Sequence, residues 1–281
     1  MSAGNAGAAP KIDPEEAAYE PVVLYERIGR VGVITLNRPQ VMNAFNDDVR
    51  ASILARLREI ARDSEVNCVM VTGTGKAFSA GGDIGNMAKL QEQNENTLLA
   101  QRIDMAADVL QQLRALPKPV VAAVNGAAAG GGMNFALGCD IRLGSTRALF
   151  SESFVKIGLV PDWGGFQSLT RLVGVGKAME LMMTGDRIGA EEALRLGLLN
   201  QILAGEDFHA QALAFCQRLA AGPLRALAAI KTGVYLGAEG SLADVCAYEK
   251  KVQPELFLEA DAREGMQAFL DKRAPEFGQQ N

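Results

Sequence analysis

Apolar positions in this chain follow two different periods. Short apolar, β-branched runs at residues 22–28, 31–36, 68–72, 119–124, 141–144 and 148–151 have the length and composition of strands. Gly29-Arg30 joins the first two as a hairpin that opens a sheet. Between the strands the spacing becomes helical. Val49, Ile53, Leu57 and Ile60 form one face of a helix that Asn46 caps and that reaches about residue 62. Leu99, Ile103, Ala106, Leu110 and Leu113 predict a second helix over 97–116, stopped by Pro117 and Pro119. Residues 164–202 read as mostly helical, with a strand at 198–203. Residues 206–221 and 223–236 read as long helices, and Pro254 is expected to interrupt the segment that begins at Ser241. The alternation defines an α/β chain without internal repeats.

Two segments break these periods with glycine. In residues 119–140, a strand buried on both faces leads into the turn pair Asn125-Gly126. Residues 127–132 follow, which look too small and flexible for core packing, and a helix starts near Gly131. Three consecutive glycines let a ligand approach the first helical turn, whose free N–H groups can face a negatively charged oxygen. Such donors, fixed before reaction, make an oxyanion hole. Residues 73–87 are a second Gly-rich loop after a strand, able to bring another N–H near Ala80.

Composition narrows the chemistry further. The chain has 281 residues, 48% hydrophobic and 22% charged, with a net charge of -5, so no basic stripe argues for nucleic acid. The uncharged window 120–139 has membrane-helix length, but its glycines and the Asn-Gly pair argue against a spanning helix. Four scattered cysteines without a CxxC pair read as free thiols in a reducing compartment. Residues 1–20 read as a disordered leader without the apolar stretch of a signal peptide, and the chain is expected in the cytoplasm. The one histidine, His209, falls mid-helix as a surface residue, so no Ser-His-Asp triad or histidine metal site can be assembled. Gly75-Lys76 is followed by Ala77, which excludes a phosphate loop, and no GxGxxG follows a strand.

The segments AFSAGGDI, NGAAAGGGMN, FSESFVKIGLVPDWGG and TGDRIGAEEALRLGLLNQI occur in an order that resembles the crotonase (enoyl-CoA hydratase/isomerase) superfamily, over nearly the whole chain from about Val22. The resemblance implies a spiral of ββα turns over residues 21–204 and a helical C-terminal region, 205–281, used for trimerisation, the assembly being a homotrimer or a dimer of trimers. It implies an acyl-CoA thioester substrate, with coenzyme A part of the substrate and no separate cofactor or metal. It places the oxyanion donors at the N–H groups of Ala80 and Gly131. Ala44, Gly81, Gly82, Asp83 and Ile84 would lie along the CoA moiety.

Forming an enolate requires an acid or base. Hydratases of this superfamily use two glutamates, and the matching positions here hold Asn134 and Phe154. Asp162 then becomes the candidate proton carrier, as in double-bond isomerases of the superfamily, with the 1,2-epoxyphenylacetyl-CoA isomerase branch the nearest match. The bland alternative for Asp162 is an N-cap on a helix starting near Gly164. Asn134 would bind substrate or orient Asp162. Glu152 is a reserve acid, read as a solvated glutamate. Met42, Met87, Met133 and Trp163 are either acyl-pocket lining or ordinary core. The favoured expectation is an isomerase; a hydratase and a non-catalytic acyl-CoA-binding protein are the alternatives.

Overall fold

The structure, a computed structural model, describes residues 21–278. The expected leader lies outside the described residues. Among the described residues, ten strands divide between two sheets. The larger holds β1 (Val23–Ile28), β2 (Val31–Leu36), β3 (Cys68–Gly73), β5 (Val120–Val124), β7 (Ile141–Ser145) and β10 (Gln201–Leu203), in that spatial order. The smaller holds β4 (Ala77–Ser79), β6 (Ala127–Ala129), β8 (Leu149–Ser151) and β9 (Arg187–Gly189). β1 and β2 form the antiparallel hairpin, with Val23 opposite Leu36, and β2, β3, β5, β7 and β10 run parallel. Every residue of β3 and β5 is buried, as expected of parallel strands covered on both faces.

The covering differs from face to face. On one side Ile34, Val71 and Val124 join a core with Phe78, Phe135 and Phe150 from the small-sheet side. On the other, Val31, Val33, Met70 and Val121 pack against Phe208, Ala212 and Cys216 of helix α7 (Phe208–Ala220).

Three times the chain leaves the large sheet and immediately adds a strand to the small one: β3 to β4, β5 to β6 and β7 to β8. Each pair then feeds helical structure: α2 (Ile84–Glu92) and α3 (Asn96–Ala115), then α4 (Gly131–Gly138), then the 3₁₀ turn Ser153–Ile157 and α5 (Gly165–Thr184). This is the ββα spiral that the resemblance implied. The helix before them, α1 (Asp47–Arg62), carries the expected cap, with Asn46 Oδ1 accepting from the Val49 N–H at 3.0 Å.

Five sequence expectations need correction. Residues 127–129 form β6, with Ala128 fully buried; small side chains there permit close packing, since a Cβ on Gly126 would sit 2.0 Å from the Lys76 carbonyl oxygen. β9 interrupts the stretch read as mostly helical, followed by α6 (Ala190–Arg195), and the expected strand at 198–203 shrinks to β10. α2 was hidden in a loop reading. Pro254 lies inside α9 (Leu242–Phe257) without ending it. The remaining helices are α8 (Leu224–Glu239) and α10 (Ala260–Asp271). No helix among the described residues is long and apolar enough to cross a membrane.

Candidate active site

The two glycine loops meet through missing side chains. A Cβ on Gly132 would lie 2.3 Å from the Ser79 carbonyl oxygen, and one on Gly81 would lie 2.5 Å from the Ala129 oxygen and 3.0 Å from the Gly131 nitrogen. Only glycine lets the start of α4 pack directly on the loop after β4. Gly130 precedes α4 at φ 50°, and its carbonyl accepts the Asn134 N–H at 3.1 Å. The N–H groups of Gly131 to Met133 precede the first intrahelical bond, which leaves a cluster of donors with the positive end of the helix dipole. The partner loop is less open. The Ala80 N–H is donated to the Met42 carbonyl at 2.9 Å, so Ala80 becomes an oxyanion donor only by exchanging that bond.

Both loops open on a chamber of about 310 Å³, lined in part by Ala80, Gly82 and Gly131. Phe154, Val160 and Trp163 supply apolar wall, and Asp162 is its one carboxylate. Asp162 stands in a tight turn in which Trp163 has φ 48° and Gly164 φ 64°. A left-handed tryptophan is strained, and the site holds it by burying the ring against Phe45 and Phe135. Gly131 faces this turn: a Cβ there would meet Trp163 Cδ1 at 2.9 Å and Asp162 Oδ1 at 3.6 Å. Helix α5 begins at Gly165 with Gly164 as its cap, and the Asp162 side chain makes no capping bond. Its Oδ1 is buried without a partner. Burial pushes the Asp162 carboxyl up to about 6, with the Arg50 charge and a bond to its own backbone pulling the other way.

Asn134 is fully buried and reaches Asp162 from below. Its Nδ2 donates to the Asp162 carbonyl at 2.9 Å and to Glu152 Oε2 at 3.4 Å. A bare Gly165 makes room, since a Cβ there would be 2.3 Å from Asn134 Nδ2. The solvated reading of Glu152 is wrong: it is 1% exposed, and burial pushes its carboxyl up to about 8.

The other anticipated residues separate. Ala44 and Asp83 are tied together by Arg38, whose guanidinium donates to the Ala44 carbonyl at 2.6 Å and to Asp83 Oδ2 at 3.2 Å. Asp83 Oδ1 also caps α2 through the Asn86 N–H. Ile84 is exposed at the chamber's edge. Met87 lines the chamber, Met133 is core, and Met42 is exposed. His209 is exposed, and Cys246 is the one exposed thiol of the four.

Sequence reading missed Arg50 and Arg102, which also line the chamber. Asp47 accepts two bonds from Arg102 at 2.7 Å and lies 3.5 Å from Arg50. The signal was present in α1: Arg50, Ile53 and Leu57 share a helical face, so an arginine extends the buried stripe.

Comparison with known proteins agrees with this geometry. Residues 26–280 match the family described as enoyl-CoA hydratase/isomerase. A Rhodobacter capsulatus protein named probable enoyl-CoA hydratase is 42% identical over 91% of this chain and 97% of its own. The Clostridium acetobutylicum short-chain-enoyl-CoA hydratase is 37% identical over 89% of this chain and 95% of its own. The crystal structure of an enoyl-CoA hydratase from a Polaromonas species superposes with a TM-score of 0.86 at 33% identity, covering 90% of this chain and 98% of that one. All three relatives are named hydratases, and the narrower likeness to epoxyphenylacetyl-CoA isomerase finds no support in them.

Proposed function

Because the chain belongs to the enoyl-CoA hydratase/isomerase family, we propose that it adds water to a 2-enoyl-CoA thioester through an enolate. The observation that carries this reading is the unpartnered Asp162 carboxylate oxygen facing Gly131 within one chamber. The thioester oxygen accepts from the Gly131 N–H, joined by Ala80 once Met42 releases it. The Asp162 carboxylate takes a proton from water as the hydroxyl oxygen bonds to the β-carbon. The double-bond electrons move onto the thioester oxygen, and Asp162 then returns the proton to the α-carbon. Asn134 orients Asp162 rather than touching substrate. Gly81, Gly82, Asp83, Ala44 and Ile84 border the path of the CoA moiety.

One observation favours a second reading, double-bond isomerisation. A single carboxylate lines the chamber, and moving a proton from the α-carbon to the γ-carbon of a 3-enoyl thioester needs only one. Mass spectrometry of the products from crotonyl-CoA and 3-hexenoyl-CoA separates the two. A gain of one water on crotonyl-CoA supports hydration. Unchanged mass with the double bond moved to position 2 of hexenoyl-CoA supports isomerisation. Tight binding of both without product means a non-catalytic acyl-CoA-binding protein.

The same family membership supports a cytoplasmic homotrimer. Phe257, Leu258, Phe269 and Leu270 of the C-terminal helices are exposed, an apolar surface suited to self-association.

A further inference from the structure

Glu152 follows β8 and precedes the 3₁₀ turn, in a stretch whose serines suggest a solvent-facing loop. Its carboxyl is instead enclosed. Oε2 accepts from Asn134 Nδ2 at 3.4 Å, and Oε1 has no partner. The same Asn134 nitrogen donates to the Asp162 carbonyl at 2.9 Å, so its two hydrogens serve acceptors from two different segments. Turning the amide over would aim Asn134 Oδ1 at the Asp162 carbonyl, which can only accept, so the Asp162 main chain sets its orientation and Glu152 holds the second hydrogen.

The described residues contain four buried side-chain nitrogen or oxygen atoms without a partner. Three of them are Asn134 Oδ1, Glu152 Oε1 and Asp162 Oδ1. Buried polar groups are normally satisfied, and a concentration of unsatisfied ones on residues linked through Asn134, of which Asp162 lines the chamber, marks a working cluster rather than a packing device.

We propose that Glu152 is a positioning residue for the acyl-CoA reaction: it pins the Asn134 amide and, through it, the turn that carries Asp162. The proposal rests on the reading of Asp162 as proton carrier. Glu152 does this as a neutral acid. Burial holds its carboxyl near 8, the Asn134 bond opposes this, and the Asp162 charge adds to it. No cation offsets it. α4 and β6 carry no titratable side chain. On α5, Arg171 pairs with Glu239, and Lys177 with Glu180. Arg187 of β9 is exposed, Lys156 packs its stem near Gly185 beside the Glu152 backbone carbonyl, and Arg50 acts on Asp162. Between about pH 6 and about pH 8 Asp162 is the only negative charge of the cluster. Above about pH 8 a second anion forms behind Asn134 and raises the proton affinity of Asp162, which hinders return of the proton to carbon.

The test compares Glu152→Leu and Glu152→Gln on whichever of crotonyl-CoA and 3-hexenoyl-CoA the wild type converts. E152L is expected to lose about 100-fold in kcat with little change in KM, because the reacting groups are displaced while substrate binding persists. E152Q, which retains an acceptor for Asn134, recovers most of that loss. The wild-type pH profile bends near pH 8, and E152Q abolishes the bend. Wild-type kcat in E152L, or a bend that survives in E152Q, overturns the proposal, and if E152L does not fold the E152Q profile decides. If the wild type converts neither thioester, the functional reading fails, and infrared spectroscopy decides the proposal separately. A neutral-carboxyl carbonyl band that fades through about pH 8 and is missing in E152Q supports it, and absence of that band from the wild type overturns it.

Discussion

Among single residues, Asp162 and Glu152 have the most to say about pH. Asp162 as a base must be ionised, so kcat/KM is expected to rise with pH through about 6. Asp162→Ala should lower kcat by about 100-fold or more while butyryl-CoA binding, read by calorimetry, stays near wild type. Persistence of turnover in that variant would exclude Asp162 as the proton carrier. Stability follows the same carboxyls with an opposite benefit. Glu152 is held above its ordinary value of 4.5, so between 4.5 and about 8 the folded chain keeps a proton that the unfolded chain releases. The stability that this proton contributes is full at low pH and is lost as pH rises across that window. Glu152→Gln should remove the slope between about 6 and about 8, above the range in which Asp162 contributes, and at pH 8 its melting temperature is expected to exceed that of the wild type. Equal pH dependence of melting in the two proteins would contradict this.

Among elements, helix α4 and the turn before α5 define the chamber through glycines that do different jobs. Gly131→Ala adds a methyl against Trp163 and Asp162, two side chains that can give slightly, so the chain is expected to fold and lose turnover. Gly132→Ala adds one 2.3 Å from the Ser79 carbonyl oxygen, which is backbone, so it should cost about 3 kcal/mol of stability or more by denaturant unfolding. The reverse ranking of stabilities would mean that α4 does not seat on β4 as described. These elements also show what a sequence can disclose. The hairpin, α1 with its Asn46 cap, and the buried β3 and β5 follow from local period and capping chemistry, and the structure contains all of them. β4 and β6 lie within the glycine-rich segments and β9 within a stretch of helical spacing, so only pairing across the small sheet makes them strands, whereas the equally short β8 stands out as an apolar run. That Asp162 and Gly131 meet at one chamber was legible because the motif names them. Glu152 was not, because its burial comes from α4 and α5 closing over a loop of polar sequence.

Across the whole molecule, the C-terminal helices leave an apolar groove of about 590 Å³, lined by residues such as Met266, Phe269 and Leu270. Light scattering after size-exclusion chromatography is expected to give three times the chain mass, and Phe269→Glu with Leu258→Glu should shift it toward one. A wild-type monomer would remove the assembly from the proposal. The spiral itself carries a broader consequence. The turn built on β5 and β6 supplies Gly131 and Asn134, while the turn built on β7 and β8 supplies Glu152 and Asp162. The Gly131 N–H and the two carboxyls are therefore mounted on separate pieces of chain, and Asn134 hydrogen-bonds both Glu152 and the Asp162 carbonyl across them. In the proposed mechanism, rewriting the dozen or so residues after β8 would change the proton chemistry while leaving the enolate-holding half as it is.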